Sequence, residues 1–101
     1  MGRQKENNLV ASIFLWLKSL GPECKTVKLH GSIYQERGTP DLLVIYRGAP
    51  FLLEVKLPGK RPTEIQKHRL EQWRRAGATV AVVRSVSEAR RIVLRLEEAP
   101  Q

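Results

Sequence analysis

Asp41-Leu42-Leu43-Val44-Ile45-Tyr46, the turn Arg47-Gly48-Ala49-Pro50, and Phe51-Leu52-Leu53-Glu54-Val55-Lys56 form the stretch that decides the fold. Two apolar runs of strand length flank a turn containing Gly and Pro, so they pair as an antiparallel hairpin. Both faces of each run are largely apolar. That pattern belongs to central strands with a layer packed on either side.

Working outward, Thr26 to His30 alternates weakly and reads as a short strand, joined to the hairpin by a loop from Gly31 to Gly38. Ahead of it, Leu9, Ile13, Trp16, Leu17 and Leu20 recur at helical spacing over Gln4 to Leu20, and Gly21-Pro22 stops that helix. Beyond the hairpin, Thr63 opens a helix reaching about Ala76, which Gly77 ends. Thr79 to Val83 reads as a buried strand. Ser85 or Ser87 then caps a last helix whose inward stripe is Val86, Ala89, Val93 and Leu96, with a frayed acidic end at Glu97-Glu98. The order αβββαβα predicts an α/β sandwich around a small mixed sheet, one domain over residues 1–101.

Composition narrows the function classes. The 101 residues carry 18 Lys+Arg against 10 Asp+Glu, a net charge of +8, and 42% are hydrophobic, which is enough for a modest core. The charge asks for an anionic partner, with nucleic acid first in line. Cys24, the one cysteine, can make neither an intrachain disulfide nor a Cys-based zinc site, and a reducing cytoplasm is the expected compartment. The apolar run Leu9 to Leu17 is too short to span a membrane, and Glu6, Asn7 and Asn8 interrupt the basic start a signal peptide needs. It reads as core helix, with no membrane role.

Three ionisable residues stand in or beside apolar strands: Asp41, Glu54 and Lys56. Glu54 and Lys56, two apart, leave a strand on the same face. A turn centred near Gly48 pairs residues whose numbers sum to about 95 to 97, setting Asp41 opposite Glu54 to Lys56. Two carboxylates so placed repel unless a cation lies between them, and an all-oxygen site suits Mg²⁺ or Mn²⁺. Such a metal can polarise a phosphoryl oxygen and acidify a water, with Lys56 orienting the nucleophile or offsetting developing charge; that is phosphodiester hydrolysis. The plainer alternative is a structural ion pair between Asp41 and Lys56 at the sheet edge.

The run Gly38-Thr39-Pro40-Asp41 followed by Glu54-Val55-Lys56 resembles the PD-(D/E)XK nuclease signature. With Pro58-Gly59-Lys60-Arg61-Pro62-Thr63-Glu64-Ile65-Gln66 and Ala76-Gly77-Ala78-Thr79-Val80, it is similar to the virus-type replication-repair nuclease (VRR-NUC) branch, over nearly the whole chain from Glu6. The resemblance implies a restriction-endonuclease-like fold, metal ligands at Asp41, Glu54, Glu6 and the Val55 carbonyl, a catalytic Lys56, and an assisting Gln66. It further implies a structure-selective DNA endonuclease, Holliday-junction resolvase-like, acting in DNA repair on four-way junctions as a homodimer rather than on a small-molecule substrate. A noncatalytic DNA-binding or assembly module that has kept the fold is the alternative.

Two of these positions carry a second reading. Glu6 shares a stripe with Ile13, but also sits where an acid favours the positive end of a helix dipole. Gln66, three residues after Thr63, fits a capping box as well as a site residue. Lys60, Arg61, Arg37 and Lys28 are expected near the same mouth as phosphate contacts, and Tyr34 as a base-stacking residue. Arg69, Arg74 and Arg75 read as a solvated face, and His30 and His68 as isolated surface histidines.

Overall fold

The computed structural model of the chain describes residues 2–29 and 36–96. His30, Tyr34 and Glu97-Glu98 lie outside them. The elements are α1 (Gly2–Lys18), β1 (Cys24–Lys28), β2 (Leu42–Tyr46), β3 (Ala49–Val55), α2 (Glu64–Arg75), β4 (Thr79–Val83) and α3 (Val86–Val93). The expected α/β order holds throughout. The sheet runs β1-β2-β3-β4, antiparallel for the first two pairings and parallel for β3 with β4, so it is mixed and β2 and β3 are central.

Strand pleating then sorts the core. Leu42, Val44, Phe51, Leu53, Val55 and Val83 point to one face, where Ile13 and Leu17 of α1 and Ala89 and Val93 of α3 close over them. The opposite face carries Leu52 and Glu54 and is covered by α2 through Leu70. No helix among the described residues is long and apolar enough to cross a membrane.

Four local expectations need correction. The hairpin loop is only Arg47-Gly48, both with positive φ (49° and 82°), the signature of a type I′ turn, so Ala49 and Pro50 already belong to β3. Pro50 is tolerated because in this register Tyr46 and Ala49 form the hydrogen-bonded pair and Ile45 faces Pro50 at a position that needs no N–H toward β2. β4 is an edge strand rather than a buried one: Thr79 is exposed and Val83 alone is fully buried. Leu96 is 44% exposed rather than inward, because α3 ends at Val93. Arg69 is no solvated residue. It bonds Glu36 at 2.9 Å and donates to the Arg37 carbonyl at 2.8 Å, fastening the segment before Asp41 to α2.

Caps fix both later helices. Thr63 accepts from the Gln66 N–H while the Gln66 side chain accepts from the Thr63 N–H, a complete capping box. Ser85, not Ser87, caps α3 through the Glu88 N–H. The approach to Asp41 is tighter still. Gly38 has φ +79°, and a Cβ built there would lie 2.8 Å from the Ile65 carbonyl oxygen in α2.

Gly38→Ala therefore combines a left-handed backbone with a clash against main chain, and should cost roughly 2–3 kcal/mol. Urea unfolding of the variant checks this; stability within 0.5 kcal/mol of the parent, to order of magnitude a surface change, would show that Gly38 is not pinned.

Candidate nuclease site

The register of the hairpin, in which partner numbers sum to 95, runs from Tyr46 and Ala49 to Leu42 and Leu53. Continued past its last pair, the register would set Asp41 opposite Glu54 and Pro40 opposite Val55. Val55 sits at a hydrogen-bonded rung, but its N–H is taken by the Asp41 carboxylate, Oδ2 lying 2.7 Å away. Pro40, which a continued register would set across that rung, has no N–H to give the Val55 carbonyl. Side chain thus replaces main chain at the end of the ladder, and Asp41, 5% exposed, is held there.

Glu54 is 1% exposed on the α2 side of the sheet. Its Oε2 lies 3.6 Å from the Lys56 ammonium, a loose pair between neighbours on one strand face. Its Oε1 is buried with no hydrogen-bond partner among the described residues. An orphaned carboxylate oxygen in a core costs on the order of kilocalories per mole and calls for a reason. Burial pushes the Glu54 carboxyl up to about 8, the Asp41 charge adds to the rise, Lys56 opposes it, and Glu6 adds a further increment.

Glu6 reaches this centre from α1. Half-buried between exposed neighbours, it lines a cavity of about 410 Å³ together with Arg3, Asn7 and Asp41. Of its two readings, the inward one is what the structure displays. The sequence assigns Arg3 and Asn7 no site role, although Arg3, Glu6 and Asn7 stand at i, i+3 and i+4 on one helix stripe. Two basic residues, Arg3 and Lys5, occupy a first turn that holds no acid. Cations there oppose the helix dipole.

The other candidates scatter. Gln66 gives its carbonyl to the cap of α2. Lys60 and Arg61 are exposed in the turn between β3 and α2, with the Lys60 carbonyl accepting from Arg84. Arg37 is exposed near Asp41 in sequence. Lys28 stands on the α1 side of the sheet with its ammonium 4.9 Å from the Phe14 ring centre. His68 is exposed on α2. Among the described residues no three His, Cys, Asp or Glu side chains form a ready-made metal cage. Two carboxylates and a carbonyl are nevertheless the donor set that Mg²⁺ takes, since it keeps several of its waters.

No protein-family model matches the chain, and a search of curated proteins returns no match. Solved structures do match. One described as "VRR_NUC domain" superposes with a TM-score of 0.74 at 30% identity, covering 92% of this chain and 98% of that one. The chain belongs to the VRR_NUC family. A second structure, "VRR_NUC domain protein", shows the same fold with a TM-score of 0.69 at 17% identity over 89% of this chain and 85% of the other. As a VRR_NUC domain the protein is of nuclease type.

The raised Glu54 pKa sets a direction for stability. In the unfolded chain the group ionises near 4.5, in the folded chain near 8, so between those values only the folded state holds the proton and stability falls as pH rises. Glu54→Gln should remove that fall. Urea titrations at pH 5 and pH 8 in EDTA check it: the gap between variant and parent should widen at pH 8, and equal gaps would mean Glu54 is ionised in the folded protein.

Proposed function

We propose that the protein is a divalent-metal-dependent endonuclease that hydrolyses phosphodiester bonds in DNA, with Asp41, Glu54 and Lys56 as its reacting centre. The observation that carries this reading is the buried Glu54 carboxyl, whose Oε1 has no hydrogen-bond partner among the described residues while its Oε2 lies 3.6 Å from the Lys56 ammonium. A hard cation satisfies the orphaned oxygen, removes the repulsion between the two carboxylates, and suits oxygen donors.

Asp41, Glu54 and the Val55 carbonyl would hold Mg²⁺ or Mn²⁺, with Glu6 reaching the same centre from across the cavity. Bound there, the metal supplies Lewis acidity toward a phosphoryl oxygen and a water of lowered pKa. Lys56 keeps its ammonium beside Glu54, where it can orient the attacking water or offset charge growing on the phosphate. Arg3, which lines the same cavity, would meet a non-bridging phosphate oxygen, and exposed Lys60 and Arg61 would hold the flanking backbone. Gln66, anchored in its cap, would act through its remaining amide hydrogens.

The finer reading is a resolvase-like enzyme acting on branched DNA as a homodimer in the cytoplasm. A four-way junction has two-fold symmetry and is cut at two points, whereas one such chain offers one centre. Leu15, 69% exposed on α1, is the kind of apolar residue a second copy would cover.

The test is cleavage of junction, flap, duplex and single-stranded DNA with Mg²⁺, Mn²⁺ or EDTA. Asp41→Asn and Lys56→Ala should each lower cleavage at least 100-fold, roughly the loss expected of a group acting on the developing charge. The asparagine variant should retain DNA binding, having lost negative charge that faces phosphate. Full cleavage by Asp41→Asn, or undiminished cleavage in EDTA, would reject the assignment.

A further inference from the structure

At the turn end of the hairpin, away from the acidic centre, lies a second cavity of about 320 Å³ bordered by Tyr46, Arg47, Phe51, Val93 and Arg95. We propose that this cavity is a second anion site, in which Arg47 and Arg95 hold phosphate groups of a nucleic acid backbone. The claim of an anion site stands on the cavity alone; its assignment to nucleic acid rests on the nuclease reading.

The two arginines are unusual in the same way. Arg47 (φ 49°) and Arg95 (φ 55°) are the only non-glycine residues with positive φ among the described residues. Arg47 holds the first central position of a type I′ turn, where Asn, Asp or Gly is favoured. Arg95 holds the position after the C-cap of α3: its N–H donates to the Ile92 carbonyl at 3.2 Å and the Leu96 N–H to the Arg91 carbonyl at 2.9 Å. That is a Schellman ending, whose left-handed residue is usually Gly. An arginine at either place takes a backbone conformation that L residues avoid, and strain of this kind gathers at functional positions.

Both side chains also turn onto the same cavity. The Arg47 guanidinium stands 5.3 Å from the Tyr46 ring centre and that of Arg95 stands 6.0 Å from the Phe51 ring centre. Aromatic faces steer guanidiniums without consuming their N–H groups, leaving forks matched to a phosphate. Glu23 engages Arg47 through Nε at 2.7 Å, but both partners are more than half exposed, so a phosphate can replace it at little cost. The carboxyl end of α3 would repel an anion were its last carbonyls bare. The N–H groups of Leu94, Arg95 and Leu96 engage three of them, on Arg90, Ile92 and Arg91, which weakens that repulsion. Five residue steps along β2 separate Tyr46 from Asp41, roughly 16 Å at 3.3 Å per residue, so this is not part of the acidic centre.

The double variant Arg47→Asn, Arg95→Gly separates a ligand role from a structural one, because it places residues that favour the left-handed region at both positions. Its melting temperature should match or exceed the parent's. DNA affinity in EDTA should fall about tenfold at 50 mM salt, and the slope of log affinity against log salt should become shallower by about 1 to 2, one phosphate contact being worth about 0.9. NMR titration with inorganic phosphate should shift the Arg47 and Arg95 amides of the parent. Phosphate-dependent shifts with unchanged DNA affinity would assign the site to a free phosphate ligand. Absence of such shifts together with an unchanged salt slope overturns the proposal, whatever cleavage assays show of the acidic centre.

Discussion

The hydrogen bond from the Val55 N–H to Asp41 Oδ2, 2.7 Å long and buried, is the constraint around which this protein is organised. It closes the end of the central hairpin with a carboxylate where a main-chain acceptor would ordinarily stand. Because that rung is filled by a side chain, the incoming strand can leave the sheet at Pro40, which has no N–H to give the Val55 carbonyl. Every other feature of the site leans on this junction. Gly38 lets the chain reach it past Ile65, Arg69 ties the preceding residues to α2, and the edge strand β4 receives Lys56 through its N–H to the Val83 carbonyl at 3.0 Å.

The same junction carries an energetic cost. With Asp41 fixed, Glu54 is buried near a like charge, one oxygen unpartnered among the described residues, and its proton held up to about pH 8. An apolar residue at that position would pack the α2 layer without penalty. The core on the α1 and α3 side is by contrast built from Ile13, Leu17, Phe51, Leu53, Val55 and Val83, with no buried carboxyl among them. Stability is drawn from one layer of the sandwich and spent at the end of the other.

Much of this was legible in the chain itself. The turn near Gly48 and the two apolar runs bound the register, which with the pleat sets Asp41 opposite the segment Glu54 to Lys56; the two-residue turn narrows that to a sum of 95. Thr63 with Gln66 announced the capping box, and Thr79 to Val83 its strand. What stayed hidden depends on long-range packing. Sequence cannot distinguish a four-residue turn from two left-handed residues when the first of them is Arg47, a residue the turn type disfavours. The position of β4 at the sheet edge follows from strand order, and the docking of Arg69 from a contact 32 residues away along the chain. Arg3 and Asn7 look like ordinary surface residues of a helix until the sheet places Asp41 across from them.

Calorimetric titration of Mn²⁺ into the protein at pH 7, in buffers of different ionisation enthalpy, tests the central claim that the buried Asp41 and Glu54 pair is held for a cation. One ion should bind with release of about one proton, since a ligand protonated in the free protein must ionise to coordinate. The double variant Asp41→Asn, Glu54→Gln should show neither the binding nor the release. Mn²⁺ binding of undiminished affinity in that double variant would contradict the account and leave the two acids as a structural feature of the hairpin end.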